Sequence, residues 1–181
     1  MNHPEPQKIR ILIVDDHAIV REGLRALIEG KPDLDVAGEA VNGEEGVQKA
    51  KTLNPDVILV DIVMPTKDGI TAIREIRAHV PEAIPAAGNV MTPHDLNVAR
   101  EAGARFAFSP GSTPALLEAA ARMTNFPFVP GIATASELMM AMSAGFHVVK
   151  FFPGATMGGA ATLRAMGSAF PHARFVPTGG T

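Results

Sequence analysis

The 181-residue chain contains no cysteine, which excludes disulfide staples and thiolate metal sites. It lacks any apolar run approaching the ~18 residues of a membrane span. It also lacks a surplus of charge: 16 Lys and Arg stand against 19 Asp and Glu, for a net charge of −3. That balance gives no electrostatic footprint for nucleic acid. The N-terminal run Met1-Asn2-His3-Pro4-Glu5-Pro6-Gln7-Lys8 has none of the apolar character of a secretory signal. His3, His17, His79, His94, His147 and His172 show no paired ligand spacing and read as surface or local helix residues. No loop stands out as an interdomain linker. The expectation is a soluble, cytoplasmic protein without membrane or nucleic-acid partners. One domain spanning 1–181, with one sizeable core, is feasible at this length.

Short apolar runs alternate with amphipathic segments throughout the chain. Ile11-Leu12-Ile13-Val14 ends in Asp15-Asp16, and Val20, Leu24, Leu27 and Ile28 then follow at the spacing of one helix face. A weak strand over 35–40, a helix over 44–53, the strand Val57-Ile58-Leu59-Val60 and a helix over 69–79 complete the first half. Further strands are expected at 84–90, 106–109, 126–129, 148–152 and 174–177. Thr113-Pro114 reads as an N-cap with proline in the first turn, and Thr134 with Glu137 as a capping box. Gly103 and Gly145 mark helix ends, while the cluster Met139, Met140 and Met142 reads as core. Three strands plus five, separated by helices, predict a parallel α/β fold. A closed barrel and a long open sheet both fit the pattern.

Asp15 and Asp16 end the first strand and Asp61 follows the third. If the second strand lies outside the first, the three carboxylates converge at strand carboxyl ends, where α/β sheets keep their sites. Three hard oxygen ligands suit Mg²⁺. Aspartates at strand ends also cap turns and helices, and the acid pattern alone fits either reading. The neighbouring residues are more specific. Ile11-Leu12-Ile13-Val14-Asp15-Asp16-His17, Arg21-Glu22-Gly23-Leu24, Asp56 to Pro65 and Asp68-Gly69 closely resemble a response-regulator receiver. The subfamily is the one whose receivers precede a helix-turn-helix domain, and the resemblance runs from about Lys8 to Arg77. It implies Asp61 as phosphoacceptor, with Asp15, Asp16 and Asp61 around Mg²⁺. The family's Thr or Ser on its fourth strand is replaced by Ala86-Ala87-Gly88, and Pro110 falls near its Lys on the fifth.

Lys150 sits between Phe146-His147-Val148-Val149 and Phe151-Phe152-Pro153. Apolar surroundings would free its amine to attack a carbonyl, or the lysine simply snorkels over the core. Lys150-Phe151-Phe152-Pro153, Gly158-Gly159, Phe175 to Gly180, Phe108 to Gly111 and Val129 to Thr134 are similar to the 2-keto-3-deoxy-6-phosphogluconate (KDPG) aldolases. This family has a (βα)8 barrel and forms pyruvate and glyceraldehyde 3-phosphate. The resemblance covers about 80–180 and implies Lys150 as the Schiff-base lysine. Pro110 and Thr178 would line its pocket, and Gly179-Gly180 would offer N–H groups to phosphate. The aldolase chemistry needs no cofactor. Leu59 falls near the family's catalytic glutamate, with Asp61 closer to the rim. Gly88-Asn89-Val90 replaces a Gly-Thr-Val, and Gly154-Ala155 replaces an acidic position. The family's eighth strand, with its phosphate-binding Gly-Ser, is expected to be missing.

The two resemblances together predict a chimera, receiver-derived over 8–79 and aldolase-derived over 80–181. The expected architecture is an eight-stranded parallel TIM barrel whose ring is closed by the receiver's second strand. Three functional readings are open. One is an engineered structural chimera without the full activity of either parent. Another is a weak class I aldolase, or binder of pyruvate or a phosphorylated keto acid, through Lys150. The third is a Mg²⁺-dependent phosphoacceptor through Asp61, without signalling output. Oligomeric state is not legible.

Overall fold

A computed structural model describes residues 8–179. The expectation about the leader segment, His3, and the phosphate role of Gly180 lie outside those residues. The chain divides into two compact units, 1–85 and 86–181, just beyond the boundary at which the two sequence resemblances meet.

The first unit runs β1 (Ile9–Val14), α1 (Ala18–Glu29), β2 (Leu34–Ala40), α2 (Gly43–Leu53), β3 (Val57–Asp61) and α3 (Gly69–His79). Its strands are parallel in the order β2-β1-β3, so β2 does lie outside β1. Strand alternation sends odd and even residues of β1 to opposite faces. Ile11 and Ile13 pack with Ile28 and Leu24 of α1 and with Val36, Val57 and Leu59. Leu12, Val14, Ile58 and Val60 are fully buried as well. α2 comes so close to that second face that a Cβ on Gly46 would lie 2.8 Å from Val14. β1 and β3 are thus apolar on both faces, as parallel strands covered by helices must be.

The second unit continues with β4 (Ile84–Gly88), whose first two residues belong to the first unit, then α4 (Pro93–Ala102), β5 (Phe106–Phe108), α5 (Pro114–Ala121), β6 (Phe128–Val129), β7 (Gly131–Ile132), α6 (Ala135–Ser143), β8 (Val148–Phe151), α7 (Gly159–Ala169) and β9 (Arg174–Pro177). β4-β5-β6 pair in that order, as do β7-β8-β9, all parallel. Ile132, Val149 and Phe151 bury one face of the second group against Leu117, Leu138, Ala141 and Met166.

Three expectations need correction. The strand expected over 126–129 is shortened to β6, and a further short strand, β7, follows Pro130; the two are kept apart because proline donates no ladder hydrogen bond. The next N–H, that of Gly131, goes to the Ser109 hydroxyl at 3.1 Å instead of to a strand. The eight-stranded ring is not formed among the described residues: nine strands are present, and β2 and β9 are each edge strands, bonded to β1 and β8 respectively. The methionines of α6 are not all core. Leu138 and Ala141 form its buried stripe, leaving Met139 and Met140 exposed over an open groove of about 670 Å³ against α5. Met142 alone of the three packs against the core.

The helix starts follow the sequence closely. Thr113 caps α5 ahead of Pro114, and Thr134 and Glu137 form the expected capping box on α6. Thr92 and Asp95 form a second capping box on α4 that the sequence reading passed over. In the α6 box the Glu137 carboxylate accepts the N–H groups of Ala133 (2.8 Å) and Thr134 (2.9 Å). The Ala133 bond foremost, against partial burial, holds the Glu137 pKa below its ordinary 4.5. A depressed carboxylate stabilises the fold above its unfolded pKa and ceases to do so as pH falls through the folded one. Thr134→Ala should cost about 0.5–2 kcal/mol in urea unfolding at neutral pH. Glu137→Gln should also be less stable there, with the gap to the parent closing as pH drops below 4.5. A gap that stays constant through the acid range would contradict this account.

Candidate functional site

The parallel register of β1 and β3 pairs Val14 with Val60, so the next step along each strand sets Asp15 beside Asp61. Both aspartates are buried, at 4% exposure. The Asp15 carboxylate accepts the His17 backbone N–H at 2.8 Å, and the Asp61 carboxylate accepts that of Val63 at 2.9 Å. Burial pushes the Asp15 pKa up, with the hydrogen bond and charge of His17 pulling against it. Asp16 is more open, yet its Oδ1 is enclosed and accepts no hydrogen bond. Gly69 lets α3 begin directly behind this corner, because a Cβ there would lie 2.0 Å from the Asp61 carbonyl oxygen. Asp15, Asp16 and Asp61 therefore converge as the sequence implied.

The sequence reading missed a fourth member. The His17 Nδ1 lies 2.9 Å from Asp16 Oδ1 and 3.3 Å from Asp15 Oδ1. Ligand atoms from all four residues lie within 4.8 Å of one another. With no second histidine at ligand spacing, the sequence pattern gives His17 no metal signature. The useful signal was its adjacency to an Asp-Asp pair at a strand end.

In the second unit Lys150 is half-buried on β8, between Val149 and Phe151, which both point into the core. Alternation turns Lys150 to the opposite face. There its Nζ stands 5.2 Å from the Phe108 ring centroid and 5.1 Å from that of Phe152. β8 is flanked on both sides, Lys150 pairing with Gly131 of β7 and Val176 of β9. Gly131 is held by its own clamp. Its N–H donates to Ser109 Oγ and its carbonyl accepts from Ser112 Oγ at 3.0 Å. A Cβ on Gly131 would fall 2.3 Å from the Pro110 carbonyl carbon. Pro110 thus acts through its backbone, pressed on the strand beside the lysine.

Thr178 follows β9. Its N–H donates to the Phe151 carbonyl at 2.9 Å, and its buried Oγ1 has no hydrogen-bond partner. Gly179 takes φ +85°, and a side chain there would strike the Phe152 ring at 2.9 Å. Gly154 and Ala155 donate to the carbonyls of Thr178 and Gly179. Lys150, Pro110, Thr178 and Gly179 are therefore linked through β7, β8 and β9, the end of β5 and the turn after β8. Ser109 and Ser112 are the members sequence reasoning overlooked, and only the missing Cβ of Gly131 hinted at them. Ala86 and Ala87, where a receiver would carry a hydroxyl, are fully buried.

The class these features define is a parallel α/β protein with charged side chains gathered on and beyond the carboxyl ends of its strands. The sequence model of the KDPG and KHG aldolases matches residues 39–181, and the chain belongs to that family; its N-terminal part matches response-regulator receiver domains. It is 45% identical over 138 residues to the KHG/KDPG aldolase of Escherichia coli, covering 76% of this chain. It spans only 64% of that relative's length. KDPG aldolase from Legionella pneumophila, solved with pyruvate captured as a covalent carbinolamine, superposes with a TM-score of 0.69 at 31% identity. That match covers 96% of this chain and 73% of the other. A LuxR-family two-component response regulator from Aurantimonas gives 0.57 at 30% identity, over 76% and 97% of the respective chains. The aldolase match starts at residue 39, not near 80 as the motifs suggested. The match therefore takes in α2, β3 and α3.

Gly131→Ala should destabilise the chain by about 1–3 kcal/mol, as overpacking does. Removing one hydrogen bond through Ser112→Ala should cost only about 0.5–1.5 kcal/mol. Urea unfolding of the two variants checks this, and equal small losses would show that the strand shifts freely from Pro110.

Proposed function

We propose that the chain is an engineered fusion of a receiver fragment and an aldolase fragment, and that it completes neither parent's reaction. The observation that carries this reading is Leu59. If Met64-Pro65 is aligned with the family's corresponding strand end, Leu59 would fall near the position the aldolase family gives its catalytic glutamate, and it packs in the apolar cluster of Ile11, Ile13 and Ile28. A leucine there holds no proton. General acid–base help is typically worth ~10²–10⁴-fold, so carbon–carbon cleavage at Lys150 would be slower by that order.

The nucleophilic half-reaction is a separate matter. The Lys150 Nζ would add to the keto carbon of pyruvate, forming the N–C bond of a carbinolamine. Loss of the carbonyl oxygen as water would leave an imine. Phe108 and Phe152 would exclude water from the amine, and Gly131 fixes the strand on which it stands. Pro110 and Thr178 would line the pocket, with the unpaired Thr178 hydroxyl available to a keto acid. The N–H group of Gly179 would be offered to a phosphate. Incubation with pyruvate and sodium borohydride, followed by peptide mass spectrometry, should give a reduced adduct on Lys150. Cleavage of 2-keto-3-deoxy-6-phosphogluconate should be feeble or absent in the same preparation. Parent-like turnover would overturn the proposal. No adduct in folded protein would reduce the aldolase inheritance to architecture.

A second reading is favoured by the convergence of Asp15, Asp16 and Asp61. These carboxylates fit a divalent cation such as Mg²⁺, which would neutralise charge on a phosphoryl donor. Asp61 would accept the phosphoryl group on a carboxylate oxygen as the donor's leaving group departs. Acetyl phosphate with Mg²⁺ should label the parent, and the label should vanish in Asp61→Asn. Labelling that survives the substitution would place the acceptor elsewhere.

A further inference from the structure

We propose that His17 makes the carboxylate corner of the first unit a mixed nitrogen–oxygen site, binding Zn²⁺ or Ni²⁺ through direct ligation by its Nδ1. The inference rests on the reading of that corner as a cation pocket and goes beyond it in naming a further ligand and another class of metal.

The distances carry the argument. Two ligands at adjacent positions on a transition-metal ion, each bonded at ~2.0–2.2 Å, stand about 3.0 Å apart in an octahedron and about 3.4 Å apart in a tetrahedron. His17 Nδ1 stands 2.9 Å from Asp16 Oδ1 and 3.3 Å from Asp15 Oδ1. Those ion-pair distances match the edges of either polyhedron. Asp16 Oδ1 is enclosed and accepts no hydrogen bond although the ring nitrogen is so near. An ion bound to both atoms would satisfy it.

The backbone of His17 is anchored on both sides. Its N–H donates to Asp15, and its carbonyl accepts from Val20 and Arg21 as α1 begins. Its side chain makes no capping bond to the helix, and the ring is 64% exposed. The imidazole is therefore fixed in place at its root, reachable from solvent and paired with the Asp15 and Asp16 carboxylates themselves. Carboxylates and water suit Mg²⁺, whereas imidazole suits zinc and nickel.

Most nitrogen–oxygen sites hold zinc more tightly than magnesium, so preference alone decides nothing. The test is differential. Calorimetric titration of the full chain with ZnCl₂, NiCl₂ and MgCl₂ is compared with His17→Ala and His17→Gln, both checked by circular dichroism. Loss of a direct ligand should weaken Zn²⁺ and Ni²⁺ by at least about tenfold, the lower bound for losing even an outer-shell partner, and leave Mg²⁺ unchanged. In ¹⁵N-labelled protein the His17 ring Nδ1 resonance should move with Zn²⁺ and stay with Mg²⁺. Zn²⁺ affinity and ring resonance both insensitive to His17 would overturn this proposal while leaving the carboxylate pocket intact. Failure of all three cations to bind the parent would overturn the pocket and this proposal together.

Discussion

A parallel strand covered by helices on one face and packed on the other has little room for charge along its length. Ionisable side chains are pushed to its carboxyl end or to a face that some other group shields. In the first unit this constraint acts through register. From Ile11 to Val14 and from Val57 to Val60 the two strands pack apolar side chains, and the next positions, Asp15 and Asp61, come up side by side. In the second unit the exception is Lys150, which stays within β8 because Val149 and Phe151 absorb the core face. Two phenylalanine rings shield what remains. Both candidate sites are consequences of how the sheets are packed.

The supports of those sites are backbone approaches that only glycine permits. Gly69 brings α3 against the Asp61 carbonyl, and Gly131 brings β7 against Pro110. Each places a helix start or a strand where a side chain would otherwise hold it off. The Ser109 and Ser112 hydroxyls then take up the two polar groups of Gly131 that Pro130 has left outside a regular ladder. The strand beside Lys150 is thus held by the backbone clamp around Gly131.

Much of this was written locally in the chain. Asp15, Asp16 and Asp61 mark strand ends, and Thr113 and Thr134 announce helices through hydrogen bonds that span three residues. Such signals depend on near neighbours and survive without the fold. What escaped depends on distant groups. Which side of α6 faces the core is decided by Leu138 and Ala141 against strands elsewhere, so Met139 and Met140 looked as buried as they are not. His17 has no ligand-spaced histidine to betray it, and it joins the corner only because β3 delivers Asp61 there. Closure of a ring through β2 follows from the receiver strand order only if β2 also meets the last strand, a distant pairing that no local signal in the sequence specifies.

The turned-out face of α6 has a chemical consequence. With no cysteine in the chain, thioethers are its only sulfur exposed to peroxide. Met91, Met139 and Met140 stand in solvent while Met166 is enclosed. Oxidation to the sulfoxide makes a methionine polar, which disrupts a core but is readily tolerated at a surface. The outer methionines therefore meet an oxidant first and take up oxygen at sites where the added polarity faces water, sparing the sulfur that packs behind Phe151.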